Sequence, residues 1–141
     1  MLAQKTLSQP FLVDGIGAII TALMLGVILP HFQPTFGMPR DIMHFLSGIA
    51  SAFALGSLIF HFFVKKNQGP LLRIVALCNT IYCMITLGLL INYREVVTGW
   101  GFAYFLGEIG VVLVLVRLEW NTARKLIATA NTSISHSVKH T

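Results

Sequence analysis

Charged residues are scarce in this chain of 141 residues, since Asp, Glu, Lys and Arg make up only 11% of it and five of them are acidic. A typical soluble domain has about 25% charged residues, which cover its surface. Apolar types reach 55% and the mean hydropathy is +0.78. This composition excludes a disordered chain and a nucleic-acid-binding domain, and it argues against a cytosolic enzyme. We therefore expect one integral membrane domain over residues 1–141.

Cysteine is also rare. Cys78 and Cys83 are five residues apart and form no Cys-x-x-Cys motif, which argues against a disulfide scaffold and against thiol–disulfide chemistry. His44 and His61 are separated by 17 residues, about 25 Å of helix, and cannot bind one haem. The sequence also lacks a phosphate-binding loop and a nucleophile elbow. We predict no metal and no cofactor. The absence of these motifs favours a protein that is not an enzyme.

Long apolar runs are what the chain has in abundance. A helix needs about 20 such residues to cross the hydrocarbon core of a bilayer, and four runs qualify: residues 11–29, 42–64, 72–91 and 100–118. We name them the first to fourth spans. Backbone groups in lipid must bond within their own segment, so each span is predicted to be a helix. Short connections predict an all-α, up-down-up-down four-helix bundle, followed by a polar tail, residues 121–141, that frays near its end.

The distribution of basic residues predicts the orientation of the bundle. Of the ten Lys and Arg residues, Arg40 and Arg94 are assigned to one end and the others to the opposite end. Basic loops stay on the cytoplasmic side, so both termini are predicted to be cytoplasmic. The basic end would also attract anionic lipid headgroups, and no nucleic-acid partner is needed to explain the net charge of +5.

Small residues recur at every fourth position in the first two spans. They are Ala18, Ala22 and Gly26 in the first span and Gly48, Ala52 and Gly56 in the second. Because lipid provides no hydrophobic reason for helices to associate, such stripes favour packing through close backbone approach. The short connection predicts that the two stripes face each other, and the alternative is that one of them forms an interface in a homo-oligomer.

Glu108 is the strongest functional candidate because it lies near the middle of the fourth span. Ionisable groups within a span are costly and usually face the bundle interior. Tyr104 lies one turn earlier on the same face, and Asn79 and Tyr82 in the third span lie at a similar depth and can donate hydrogen bonds to a carboxyl group. Two interpretations stay open: a substrate- or proton-binding carboxyl group, or a structural hydrogen-bond seam between the third and fourth spans.

A second polar cluster is predicted at the cytoplasmic edge. Asp14, His61 and Arg73 lie close to the ends of the first, second and third spans. Asp14 could pair with His61, which would give a group that titrates near neutrality, or with Arg73. The favoured interpretation is an ion pair that fixes the bundle while Arg73 reaches outward.

Three short motifs and one single position stand out along the chain: FLVDGIGA from Phe11 to Ala18, FGMP from Phe36 to Pro39, Asn79-x-x-Tyr82-Cys83, and Glu108. In this combination the chain resembles a group of small bacterial four-span membrane proteins with no assigned activity. The resemblance covers about residues 11–118. It implies the four-span fold and a multi-pass location in the bacterial inner membrane.

These features leave three functions open. The leading hypothesis is a transport or accessory module of the membrane whose interior acid, Glu108, bonds to the third span. The second is a membrane-embedded enzyme or binder that acts on a lipid or a quinone in a lateral cleft lined by Glu108, Tyr82 and Asn79. The third is a structural subunit of a larger membrane complex.

Overall fold

A computed structural model describes the backbone of residues 2–64 and 68–140 and the side chains of residues 11–64 and 68–140. Within these ranges the regular structure is entirely helical. Its elements are α1 (Leu2–Leu23), a π-helical segment (Met24–Ile28), α2 (Leu29–His31), α3 (Gln33–Phe36), α4 (Arg40–Phe63), α5 (Gln68–Asn92) and α6 (Gly99–Lys139). The prediction of an all-α chain is confirmed.

Four helical stretches are long and apolar enough to cross a membrane: Phe11–His31, Arg40–Phe63, Gln68–Asn92 and Gly99–Lys139. They correspond in order to the four predicted spans, and we keep the names first to fourth span for them. The described residues therefore form a helical bundle with the features of a multi-pass membrane protein.

The first span changes its helical geometry where a proline approaches. Pro30 has no N–H for the Gly26 carbonyl, and its ring would collide with that carbonyl in a regular α-helix. Between Met24 and Ile28 the chain forms a π-helix, and the Leu29 N–H bonds to the Met24 carbonyl. The wider turn lets the helix continue through Pro30 to His31.

The polar tail continues the helix of the fourth span as far as Lys139. α6 runs without interruption for 41 residues, which corresponds to about 60 Å at 1.5 Å per residue. Its N-terminus is capped by Thr98, whose hydroxyl oxygen accepts a hydrogen bond from the Gly101 N–H. Further along, the Thr129 and Thr132 hydroxyls bond to carbonyls four residues earlier. Polar side chains in the tail are thus partly satisfied by the helix itself and do not end it.

The connection between the first two spans packs tightly against the connection between the last two. Gly37 has a left-handed backbone with φ of 78°, and a Cβ there would lie 2.1 Å from the Val96 carbonyl oxygen. The Thr98 N–H donates to the Phe36 carbonyl at 3.1 Å, and the Thr98 hydroxyl donates to the Thr35 carbonyl. These bonds tie the two connections together, and glycine is required at the closest point.

The spans associate as two pairs. Most contacts between helices join the first span to the second, which we name the N-terminal pair, and the third to the fourth, which we name the C-terminal pair. Fewer contacts join one pair to the other. Buried apolar residues form two clusters: Leu25, Leu29, Met38, Met43, Leu46, Tyr82, Leu90, Val97 and Phe105 in one, and Phe11, Leu72, Val75 and Ala123 in the other. Each cluster draws residues from both pairs and holds them together.

The two small-residue stripes do not face each other as predicted. The first-span stripe does meet the second span, because a Cβ at Gly26 would lie 2.6 Å from Ser47 Oγ. In the second span, however, Gly48 and Ala52 are exposed, and a Cβ at Gly48 or Gly56 would meet nothing within 4 Å. The face of the second span that contacts the first span passes through Ser47 instead. Consecutive residues of a helix point about 100° apart, so Gly48 lies on a different face from Ser47.

Candidate functional site

A cavity of about 580 Å³ lies between the N-terminal pair and the C-terminal pair. All four spans contribute to its wall, which is mostly apolar. Its polar lining residues are Asp14, Thr21, Asn79, Tyr82, Tyr104 and Glu108. Among the described residues, no Lys, Arg or His lines it. A largely apolar cavity of this size with a few convergent polar groups is typical of a ligand site.

Small residues provide the space where the two pairs face each other. Gly17 and Ala18 of the first span and Ala103 and Gly107 of the fourth span all line the cavity. A Cβ at Gly107 would meet nothing within 4 Å, whereas a Cβ at Gly17 would lie 3.7 Å from the Leu115 side chain. The first and fourth spans therefore approach each other near Gly17 and leave open space near Gly107.

Glu108 lies on the cavity wall and is bonded to the third span. The Tyr82 hydroxyl donates to Glu108 Oε1 at 2.8 Å, while Glu108 Oε2 is buried without a hydrogen-bond partner among the described residues. Tyr104 lines the same cavity, and its ring packs edge-on against Phe36 with centroids 6.0 Å apart. The structure thus brings together three of the predicted candidates: Glu108, Tyr82 and Tyr104.

The fourth candidate, Asn79, bonds to two other acids. Its amide nitrogen donates to Asp14 Oδ1 at 2.7 Å and, at a longer 3.5 Å, to Glu119 Oε2. The Ser57 hydroxyl donates to Asp14 Oδ2. We name these four residues, Asp14, Ser57, Asn79 and Glu119, the carboxyl cluster. Each comes from a different span, and none is more than 6% exposed.

The predicted edge cluster of Asp14, His61 and Arg73 has a different arrangement. Asp14 accepts its hydrogen bonds from the carboxyl cluster. Arg73 is exposed, and its guanidinium carbon lies 5.4 Å from the centroid of the Trp120 ring. The His61 ring packs edge-on against Phe62. Arg73 reaches outward as expected. Its exposed position keeps the charge hydrated, and the face of the Trp120 ring attracts the cation.

Two residues of the carboxyl cluster, Ser57 and Glu119, were not among the predicted candidates. Glu119 follows the predicted end of the fourth span, so its burial was not expected. Helical spacing carried a usable signal: Glu108 and Glu119 are 11 residues apart, close to three full turns, and share a face. Ser57 gave no such signal, because serines in apolar helices commonly bond to their own helix.

A smaller cavity of about 200 Å³ adjoins the carboxyl cluster. Asp14, Phe53 and Asn79 line both this cavity and the larger one, while Ser57 lines only the smaller. The Phe53 ring packs edge-on against Tyr82, with centroids 6.2 Å apart. The carboxyl cluster is therefore in contact with both cavities.

Comparisons with protein-family models, curated proteins and solved structures gave no match to this chain.

Proposed function

We propose that this protein is a transport or accessory module of the membrane that binds a small, mostly apolar cation in the larger cavity. The observation that supports this most directly is the buried Glu108 Oε2, which has no hydrogen-bond partner among the described residues although its residue lines the cavity. A cationic group would give this oxygen a partner, and the apolar wall would bury the remainder of the ligand.

The charge of the lining supports a cation over an anion. Two carboxyl groups, of Asp14 and Glu108, line the cavity, and its described lining has no basic side chain that could receive an anionic ligand. Tyr82 and Tyr104 add aromatic rings to the same wall. Aromatic faces attract cations, and the attraction strengthens where water is excluded.

Direct binding measurements test the proposal. The probe is tetraphenylphosphonium, an apolar monovalent cation, titrated calorimetrically into protein purified in a maltoside detergent. We expect saturable binding in the wild type and an affinity at least about tenfold lower in Glu108→Gln, since the variant lacks the negative charge that attracts the cation and a tenfold loss corresponds to about 1.4 kcal/mol. Gly107→Leu, which fills open space in the cavity, should reduce binding as well.

The matched control is Glu95→Gln, which removes an exposed acid outside the cavity. It should leave the affinity unchanged, because exposed charges contribute little and are screened by salt. Absence of binding by the folded wild-type protein, or an equal loss of affinity in Glu95→Gln and Glu108→Gln, would rule out the proposed site. Uptake of the same probe into proteoliposomes separates a transporter from a module that only binds.

A second candidate, a binder of or enzyme acting on a lipid or a quinone, is supported by the mostly apolar wall and by the Tyr82–Glu108 hydrogen bond, which places a hydroxyl beside an acid. Native mass spectrometry from a mild detergent discriminates between the candidates. A retained phospholipid or quinone that is lost in Gly107→Leu would favour this second function. Co-purification with larger subunits would favour the structural-subunit hypothesis.

The orientation and location belong to the proposal as predictions. Both termini are placed on the cytoplasmic side of a bacterial inner membrane, with the basic end near anionic lipid headgroups. A homo-oligomer is compatible with this placement, because one stripe of the second span, Gly48, Ala52 and Gly56, is not packed against the first span.

A further inference from the structure

The carboxyl cluster contains two acids in a place that water hardly reaches. Asp14 is 3% exposed and Glu119 is 1% exposed. Both accept hydrogen bonds from the same amide nitrogen of Asn79, so their carboxyl groups lie close to each other. Two negative charges at such a separation in a poorly hydrated interior are strongly unfavourable unless a cation compensates one of them.

The described ionisable side chains on the helices around the cluster include three arginines, one histidine and one cysteine. On the third span Arg73 is exposed and lies over Trp120, and on the fourth span Arg117 and Arg124 are exposed. On the second span His61, one turn after Ser57, is partly buried against Phe62. Cys78, beside Asn79 on the third span, is uncharged as a thiol. No Lys or Arg side chain bonds to either acid among the described residues.

The hydrogen bonds distinguish the two acids. Both oxygens of Asp14 accept a bond, one from the Ser57 hydroxyl and one from the Asn79 amide, which is the pattern expected of a carboxylate. Glu119 accepts one long bond at Oε2, and its Oε1 is buried with no partner among the described residues. A neutral carboxylic acid at Glu119 fits this arrangement, because only one of its oxygens then carries the proton.

We propose that Asp14 and Glu119 form a proton-binding centre that holds one proton between two carboxyl groups. On binding, a proton forms an O–H bond with a carboxyl oxygen of Glu119, and the charge of the pair changes from −2 to −1; on release the same O–H bond breaks and the proton leaves. Asp14 and Asn79 line both cavities, so the Asp14 side of the pair adjoins both of them. This centre does not depend on the ligand proposed for the larger cavity.

Infrared spectroscopy tests the proposal directly, because a neutral carboxylic acid has a C=O stretching band that a carboxylate lacks. The protein is measured in an ester-free maltoside detergent, in H₂O and in D₂O, near neutral pH. Glu108→Gln serves as the reference protein, since it removes the other buried acid. The two acids that remain outside the pair, Asp41 and Glu95, are exposed, and they are present in every variant compared.

We expect the reference protein to show one carboxylic-acid band that shifts in D₂O and disappears when Glu119→Gln is added. Absence of the band in the folded reference protein, or its persistence in Glu108→Gln/Glu119→Gln, would overturn the proposal. Should Glu119→Gln fail to fold, the reference protein alone decides: raising the pH must convert the band to a carboxylate signal with a stoichiometry of one.

A sodium arm separates a proton from a metal ion as the compensating cation. The reference protein is measured in NaCl and in choline chloride at equal ionic strength. Both oxygens of Asp14 already accept hydrogen bonds, from Ser57 and Asn79. We therefore expect the compensating cation to be a proton and the carboxylic-acid band to be identical in both salts. Loss of the band in NaCl alone would show that sodium displaces the proton and would contradict the proposal.

Discussion

The Ser47 hydroxyl of the second span donates a hydrogen bond to the Ala22 carbonyl of the first span, with 2.8 Å between the two oxygens. Both residues lie in apolar segments, and the bond joins the two helices of the N-terminal pair close to Gly26. A Cβ added at Gly26 would lie 2.6 Å from the same hydroxyl oxygen. One short polar side chain thus both bonds to the neighbouring helix and requires a glycine beside it.

Gly26→Ala should therefore destabilise the protein. Forcing a methyl group against Ser47 Oγ is expected to lower the free energy of unfolding by about 1–3 kcal/mol. The measurement is thermal or denaturant unfolding in detergent, followed by tryptophan fluorescence. Gly48→Ala is the control: nothing lies within 4 Å of a Cβ there, and we expect a change within about 0.5 kcal/mol. Similar losses for both variants would contradict the assigned contact face.

Asn79→Leu should be among the most destabilising substitutions in the chain. Asn79 donates to both buried acids, and its removal leaves two acceptors without that donor, at a cost of about 1–3 kcal/mol for each. Unfolding in detergent measures the effect. Asn92→Leu, at the exposed end of the same helix, should change stability by about 0.5 kcal/mol or less. If Asn79→Leu left the free energy of unfolding unchanged, the amide would contribute little to holding the cluster together.

Part of this structure could be predicted from the sequence because apolar length is a strong signal. The four helices follow from runs of about 20 apolar residues, whose backbone has no alternative bonding partner in lipid. The Glu108–Tyr82 contact could also be predicted, because the depth of a residue in the membrane and its helical face restrict which polar groups can meet. Both inferences rest on the period and length of a single helix.

The carboxyl cluster could not be predicted in this way, because it depends on how four helices are rotated relative to one another. Asp14 was assigned to an edge cluster and Asn79 to Glu108, whereas the observed rotation brings both together with Glu119. The small-residue stripe of the second span failed similarly. Its spacing shows which residues share a face, and gives no information on whether that face meets a helix, a cavity or lipid.

Gly37→Ala should weaken the contact between the two connections. A side chain is strained at a φ of 78°, at a cost of about 1–3 kcal/mol, and its Cβ would collide with the Val96 carbonyl oxygen. We expect a lower unfolding temperature and faster backbone amide exchange at Thr98, whose N–H bonds to the Phe36 carbonyl. Gly99→Ala is a nearby control with open space around its Cβ and should leave exchange at Thr98 unchanged.

Removal of residues 128–141 should leave the bundle intact. Every described residue from Ala128 to His140 is exposed, whereas Ala123 is fully buried in an apolar cluster. We expect the unfolding free energy of the shortened protein to lie within about 0.5 kcal/mol of the wild-type value. Removal from Ala123 onward should be far more disruptive, and equal behaviour of the two truncations would show that the cluster around Ala123 is dispensable.

The uninterrupted length of α6 has a mechanical consequence. Glu108, Glu119 and the exposed C-terminal turns all belong to one helix without a break, and its length of about 60 Å is roughly twice the thickness of a bilayer core. A helix of this kind transmits a tilt or rotation along its axis instead of absorbing it at a joint. The exposed turns and both acids therefore share one helix axis, and a tilt of that axis would reach the acids without passing through a joint.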